Sequence, residues 1–103
     1  MSKKQNKAEK EHYKKVAALG CIICRLQGYH DTPAEIHHIR TGSGMGQRSS
    51  NFDVIPLCPV HHRLGYKDKK EGIEEFGYHQ SPARFEESYG TELELLETTR
   101  GLL

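Results

Sequence analysis

Tryptophan is absent, methionine occurs twice, and Phe and Tyr together make up 8% of the chain. A sequence of 103 residues with so few large apolar side chains fits one domain with a modest core. No apolar run is long enough for a signal peptide or a membrane span, and the N-terminus is polar and lysine-rich. The chain therefore reads as a cytoplasmic protein with no membrane attachment. Cysteine is scarce and odd in number, Cys21, Cys24 and Cys58 alone, which excludes a closed disulfide framework. In a reducing compartment these thiols are free to bind metal. With 28% charged residues, so polar a chain gains from a staple, and a structural metal is a common one.

Charge of neither sign dominates, but it is unevenly spread. Residues 1–15 hold six Lys against two Glu, residues 16–70 seven basic against four acidic side chains, and residues 71–103 two Arg against eight Glu. The first two-thirds are suited to face a polyanion. The acidic last third is expected to face solvent or the basic part.

Residues 1–7 read as a flexible basic tail and residues 8–103 as a single domain. The helix formers from Ala8 to Leu19 predict a helix that Gly20 stops, with Tyr13, Val16, Ala17 and Leu19 as its apolar stripe. Cys21–Cys24 reads as a tight turn. Residues 34–39 and 52–57 read as two short strands around a Gly- and Ser-rich loop, 41–51. Pro59 opens a short helix, and residues 65–80 read as irregular. Ser81-Pro82 starts a further helix that Gly90 ends. Thr91 and Glu94 form a capping-box pattern for a last one, with Leu93, Leu95 and Leu96 toward the core.

Two ligand pairs share one spacing, Cys21-x-x-Cys24 and Cys58-x-x-His61. Each presents two donors from a tight turn, and together they make a three-cysteine, one-histidine set suited to tetrahedral structural zinc. Both predicted strands lie between the pairs, so the ion would clamp the two ends of a hairpin. Three buried thiols that bind nothing are the plain alternative. That alternative leaves the matched spacing of His61 unexplained.

Seven histidines are many for this length, and four of them form the pairs His37-His38 and His61-His62. Along a regular strand His37 and His38 face opposite ways. On a helix's first turn His61 and His62 also diverge, so His61 can reach the zinc while His62 serves a second ion. His12 and His30 read as ordinary histidines.

The runs CIIC, EIHHI and IPLCPVHH, with Asn51 between the last two, resemble the HNH endonucleases. Within them the chain resembles the phage and prophage RecA-dependent nuclease (Ref) family. That likeness extends through GSGMGQRSS and FEESYGTELELLE and covers about Gly20 to Leu96. The resemblance implies an α+β fold: a small ββα-metal (HNH, treble-clef-like) core with a structural zinc and flanking N- and C-terminal helices. It also implies a metal-dependent DNA endonuclease acting in phage recombination, with DNA and a RecA filament as partners.

By position, His38 would be the general base and Asn51 would orient it, while His37 and His62 would hold the catalytic divalent ion, Mg²⁺, Mn²⁺, Ni²⁺ or Zn²⁺. A further ligand often lies one helical turn after the second. Here that position is Tyr66, a poor ligand, so the third donor is His79 or water.

Arg40, Arg48, Arg63 and Lys67 lie near this site in sequence and are candidate phosphate contacts, followed by Lys69 and Lys70. Gly42, Gly44 and Gly46 would let backbone amides approach a strand closely. No recognition-helix pattern appears, so binding is expected to be weakly sequence-specific and strongly salt-dependent. The competing function is a zinc-stapled nucleic-acid-binding module without catalysis. Binding alone does not require His37, His38 and Asn51 together. A structural zinc adaptor that binds protein through the acidic last third is a third possibility.

Overall fold

The computed structural model describes residues 6–39 and 52–103. The fold is α+β, with four α-helices and two small antiparallel sheets among the described residues. Asn51, Arg40, Arg48 and the glycine-rich loop lie outside the described residues, as does most of the basic tail.

Helix α1 (Lys7–Ala18) starts at Asn6, whose side chain accepts from the Glu9 backbone N–H while Glu9 returns a bond to the Asn6 N–H. This reciprocal cap satisfies two otherwise orphaned donors. Gly20 then reverses the chain at a φ of +75°, and Cys21 N–H bonds to the Thr32 carbonyl. A Cβ at Gly20 would lie 2.9 Å from the His30 carbonyl oxygen, so close approach as well as φ requires glycine. The segment read as a plain turn winds into a short helix, α2 (Ile22–Leu26), capped by the Cys21 sulfur, which accepts from Cys24 N–H.

Strands β1 (Glu35–His38) and β2 (Val54–Leu57) pair antiparallel, with His37 opposite Ile55 and His38 opposite Val54. Alternation puts Glu35 and His37 on one face of β1 and His38 on the other. His37 is buried and His38 exposed. After β2 the chain makes one π-helical turn (Val60–Leu64), closed by the Gly65 N–H to Val60 carbonyl bond.

The residues read as irregular contain a second hairpin, β3 (Tyr66–Asp68) and β4 (Ile73–Glu75). Asp68 accepts from the Lys70 and Glu71 N–H groups and closes its loop, a use of Asp that the sequence left unread.

Helices α3 (Pro82–Tyr89) and α4 (Glu92–Leu102) complete the chain. Ser81 precedes α3 but its side chain makes no capping bond, whereas Thr91 and Glu94 form the full box on α4. The core gathers Ile22, Ile23, Ile55, Leu57, Phe85, Leu95 and Leu96 around the three cysteines. Leu93 is not part of it. It points outward, and Glu92 takes the buried place on that helix. No helix among the described residues is long and apolar enough to cross a membrane.

Two glycine substitutions should move stability in opposite directions. Gly20→Ala is expected to cost about 1–3 kcal/mol, from strained φ and backbone contact. Gly101→Ala lies on α4 with nothing within 4 Å of the new Cβ, and should add about 0.5–1 kcal/mol. Urea melts of both variants check this pair. Equal effects would contradict the backbone reading.

Candidate metal centres

The π-helical turn controls how the histidines are distributed. Pro59 and Val60 carry the chain out of β2 so that His61 turns inward, beneath α2, while His62 turns toward β1. Two groups of donors result, and each could hold a metal ion.

The first group is Cys21, Cys24, Cys58 and His61, with all four donor atoms within 4.8 Å of one another. The Cys24 and Cys58 sulfurs are 3.9 Å apart. His61 Nδ1 lies 3.5, 3.6 and 3.2 Å from the sulfurs of Cys21, Cys24 and Cys58. Its Nε2 donates to the Glu75 carboxylate at 2.7 Å. Gln27 and the Tyr89 hydroxyl also donate to Glu75. Of the three thiols, Cys58 is the one whose deprotonation is most favoured. A hydrogen bond from Cys21 draws its pKa down to about 3 against the opposing effect of burial, and His61 helps. Cys21, as the donor in that bond and deeply buried, is pushed up.

The second group is His37, His62 and His79, again within 4.8 Å. Ring centroids are separated by 5.2 Å for His37–His62, 5.2 Å for His37–His79 and 4.9 Å for His62–His79. Each ring comes from a different element: β1, the π-helical turn, and the segment after β4. Backbone bonds fix that last segment, Tyr78 N–H to the His61 carbonyl at 2.9 Å and His79 N–H to the His62 carbonyl at 3.0 Å. Gly77 permits the approach, since a Cβ there would lie 2.7 Å from the Arg63 carbonyl carbon. Tyr66, one turn beyond His62, is half exposed on β3 and bonds to Asp68 instead.

Carboxylates hold two of these rings. Glu92 accepts from His37 Nε2 at 2.6 Å, both side chains being buried. That leaves Nδ1 of His37 for an ion. Glu35 accepts from His62 Nδ1 at 2.8 Å, which leaves Nε2. Arg63 donates to both oxygens of Glu35, at 3.1 and 3.0 Å. Arg63 first, then His62, holds the Glu35 carboxyl down to about 2. In this arrangement a carboxylate fixes the tautomer of a ligand imidazole and raises its basicity.

His38 is not in this cluster. Its ring lies on the other face of β1 and meets Tyr13 of α1, whose hydroxyl is 2.9 Å from His38 Nε2. Partial desolvation of its ring, and then the neighbouring His37, lower the His38 pKa from the ordinary histidine value. Arg63 is exposed yet paired with Glu35, and Lys67 is exposed on β3. His12 Nε2 bonds to the Phe52 carbonyl at 3.1 Å and ties α1 to the chain just before β2.

Glu35, Glu75, Glu92 and Tyr13 are the partners of the candidate histidines that sequence reasoning missed. The acidic last third does not simply face solvent, because Glu75 and Glu92 turn inward to histidines. The only signal was position. Glu92 stands beside the Thr91 cap, where an acidic residue also suits the helix dipole and draws no further notice.

With the cysteine group already filled, Glu92→Gln should lower the affinity of the three-histidine group for Ni²⁺ about 10- to 100-fold by calorimetric titration. An amide can donate as well as accept, so it no longer dictates which ring nitrogen of His37 is free. An affinity within twofold of wild type would show that Glu92 does not orient His37.

Residues 6–103 match the model of a protein family described as recombination enhancement, RecA-dependent nuclease. No curated protein matches the chain significantly.

Proposed function

The chain belongs to the recombination-enhancement, RecA-dependent nuclease family, and on that premise we propose that it is a metal-dependent DNA endonuclease of the HNH type. The observation that carries this reading is the convergence of His37, His62 and His79 beside a separate cysteine-rich group. The order of elements supports it: a two-stranded hairpin, β1–β2, followed at once by a helical turn that bears His62. Residues 8–103 then act as one nuclease domain in the cytoplasm, and the substrate is DNA engaged by a RecA filament.

The cysteine group is assigned to structural zinc. A tetrahedron with Zn–S near 2.3 Å and Zn–N near 2.0 Å has edges of about 3.5–3.8 Å. Four of the six donor separations, 3.5, 3.9, 3.6 and 3.2 Å, lie within about 0.3 Å of those edges. The ion joins α2 to the end of β2 and adds to the packing of Ile22 and Ile23 with Ile55 and Leu57.

His37, His62 and His79 fit a divalent ion as neutral imidazoles, with Nδ1 of His37 and Nε2 of His62 free to bind it. Such an ion, when bound, neutralises charge on the scissile phosphate and on the leaving oxygen. Histidine 38, the last residue of β1, stands at the mouth of the hairpin and takes the proton of the attacking water. The water oxygen forms the new bond to phosphorus, the bond to the leaving oxygen breaks, and solvent protonates that oxygen. Partial desolvation, and then His37, lower the His38 pKa, the direction that favours the neutral, proton-accepting ring. Asn51, Arg40 and Arg48 are assigned to orienting the base and holding phosphates by position in the sequence alone. Arg63 uses only part of its donor set on Glu35, so it can also bridge to a phosphate, and Lys67 extends that contact.

Two measurements test the reading. Cys24→Ser should abolish tight zinc uptake and the cooperative melt, since structural zinc supplies about 10–16 kcal/mol of apparent binding energy. A variant melting within about 3 °C of wild type would sink the zinc assignment. Wild type and His38→Ala are then compared on single-stranded, duplex and RecA-coated DNA with Mg²⁺ or Mn²⁺. The variant should cut at least about 100-fold more slowly on the substrate wild type cuts. Equal cutting, or no cutting by wild type on any substrate, rejects the mechanism.

A further inference from the structure

We propose that Tyr13, on the N-terminal helix, is a positioning residue for His38 and selects the ring nitrogen that acts as base. The inference rests on the assignment of His38 as general base. What is new is that α1, which contributes no ligand to either cluster, forms part of the reaction site.

The geometry is specific. Tyr13 Oη lies 2.9 Å from His38 Nε2, and the two rings meet edge to face at 87° with centroids 5.6 Å apart. Helix α1 is itself anchored against the hairpin. His12 bonds to the Phe52 carbonyl and packs its ring on Phe52 at 5.3 Å, and Val16 is fully buried. Tyr13 therefore approaches from a fixed helix and not from a free loop.

A neutral imidazole has one N–H and one lone pair. With Nε2 occupied by Tyr13, only Nδ1 remains to receive a proton. Nδ1 has a lone pair only if Nε2 carries the hydrogen and donates it to the tyrosine oxygen. If the hydroxyl donated instead, Nδ1 would bear the hydrogen, and the Nε2 lone pair would have to be released from the tyrosine before it could take a proton. Catalysis through Nδ1 thus requires Tyr13 as the acceptor, with its own hydrogen turned to solvent. After proton transfer His38 carries two N–H groups, and the bond to Tyr13 persists without rearrangement. Burial and the nearby Glu9 charge raise the Tyr13 pKa, so it stays a neutral hydroxyl.

The consequence reaches beyond the ring. On α1, Lys7, Lys10 and Lys14 are exposed and recur at spacings of three and four residues, on the side of the helix next to Tyr13. The contact of Tyr13 with His38 joins that basic side of α1 to the base.

The test is Tyr13→Phe, which keeps the ring and its packing and removes the oxygen. Cleavage of RecA-coated DNA with Mg²⁺ should show kcat reduced about 10- to 100-fold with KM within twofold. Ni²⁺ affinity and melting temperature should match wild type. Nitrogen-15 NMR of the wild-type protein supplies a readout that a merely structural role would not move. His38 should show a protonated Nε2 and a lone-pair Nδ1, and Tyr13→Phe should blend the two tautomers. A wild-type His38 protonated on Nδ1, or an unchanged kcat in Tyr13→Phe, overturns the inference while the base assignment stands. Full activity in His38→Ala overturns the base assignment, and the role of Tyr13 falls with it. If Tyr13→Phe does not fold, the wild-type tautomer alone decides.

Discussion

Two neighbouring imidazoles, His61 and His62, leave one short turn in different directions, and the rest of the structure is arranged around that divergence. A single residue of offset in the Pro59–Leu64 turn would give His62 to the sulfur cluster and Arg63 to the histidine cluster, or Val60 and His61 in the opposite sense. The turn is therefore held from several sides. Gly65 closes it by its backbone, α2 covers it with two cysteines, and residues 77–79 run along its carbonyls. The same contacts that fix the turn deliver His79. The two candidate metal centres share one turn, since His61 and His62 are consecutive residues on it.

Around that unit lies a shell of acceptors. Glu75 behind His61, Glu92 behind His37 and Glu35 behind His62 each take one ring nitrogen and leave the other for the cluster. Within the histidine cluster, where the rings lie about 5 Å from one another, Glu92 and Glu35 keep His37 and His62 from rotating away. The cost of burying Glu92 is offset by that tie, and no buried side-chain N or O among the described residues lacks a hydrogen-bond partner. This arrangement explains why the C-terminal helix, far from the hairpin in sequence, belongs to the site. Its cap fixes the first turn, and the first turn carries Glu92.

The sequence disclosed the ligands more readily than what surrounds them. Equal spacing in Cys21-x-x-Cys24 and Cys58-x-x-His61 is a chemical pattern that survives without coordinates. So is strand alternation, which separates His37 from His38. The caps on α4 were legible for the same reason, being local. What could not be read was long-range. Glu92 meets His37 across 55 positions and Tyr13 meets His38 across 25, and neither contact leaves a mark in the local pattern. The β3–β4 hairpin was missed because its strands are three residues each, too short for alternation to register. Leu93 was placed inward because a leucine outranks a glutamate on any hydrophobic scale. A buried histidine partner reversed that ranking for Glu92.

The central claim is that His61 and His62 serve two separate ions. Crystals of the protein loaded with zinc and then Mn²⁺ would give anomalous peaks at both absorption edges. The account predicts two ions per chain: one bound by three sulfurs and His61 Nδ1, the other by nitrogens of His37, His62 and His79 with no sulfur. A single ion, or one ion drawing ligands from both groups, would contradict it.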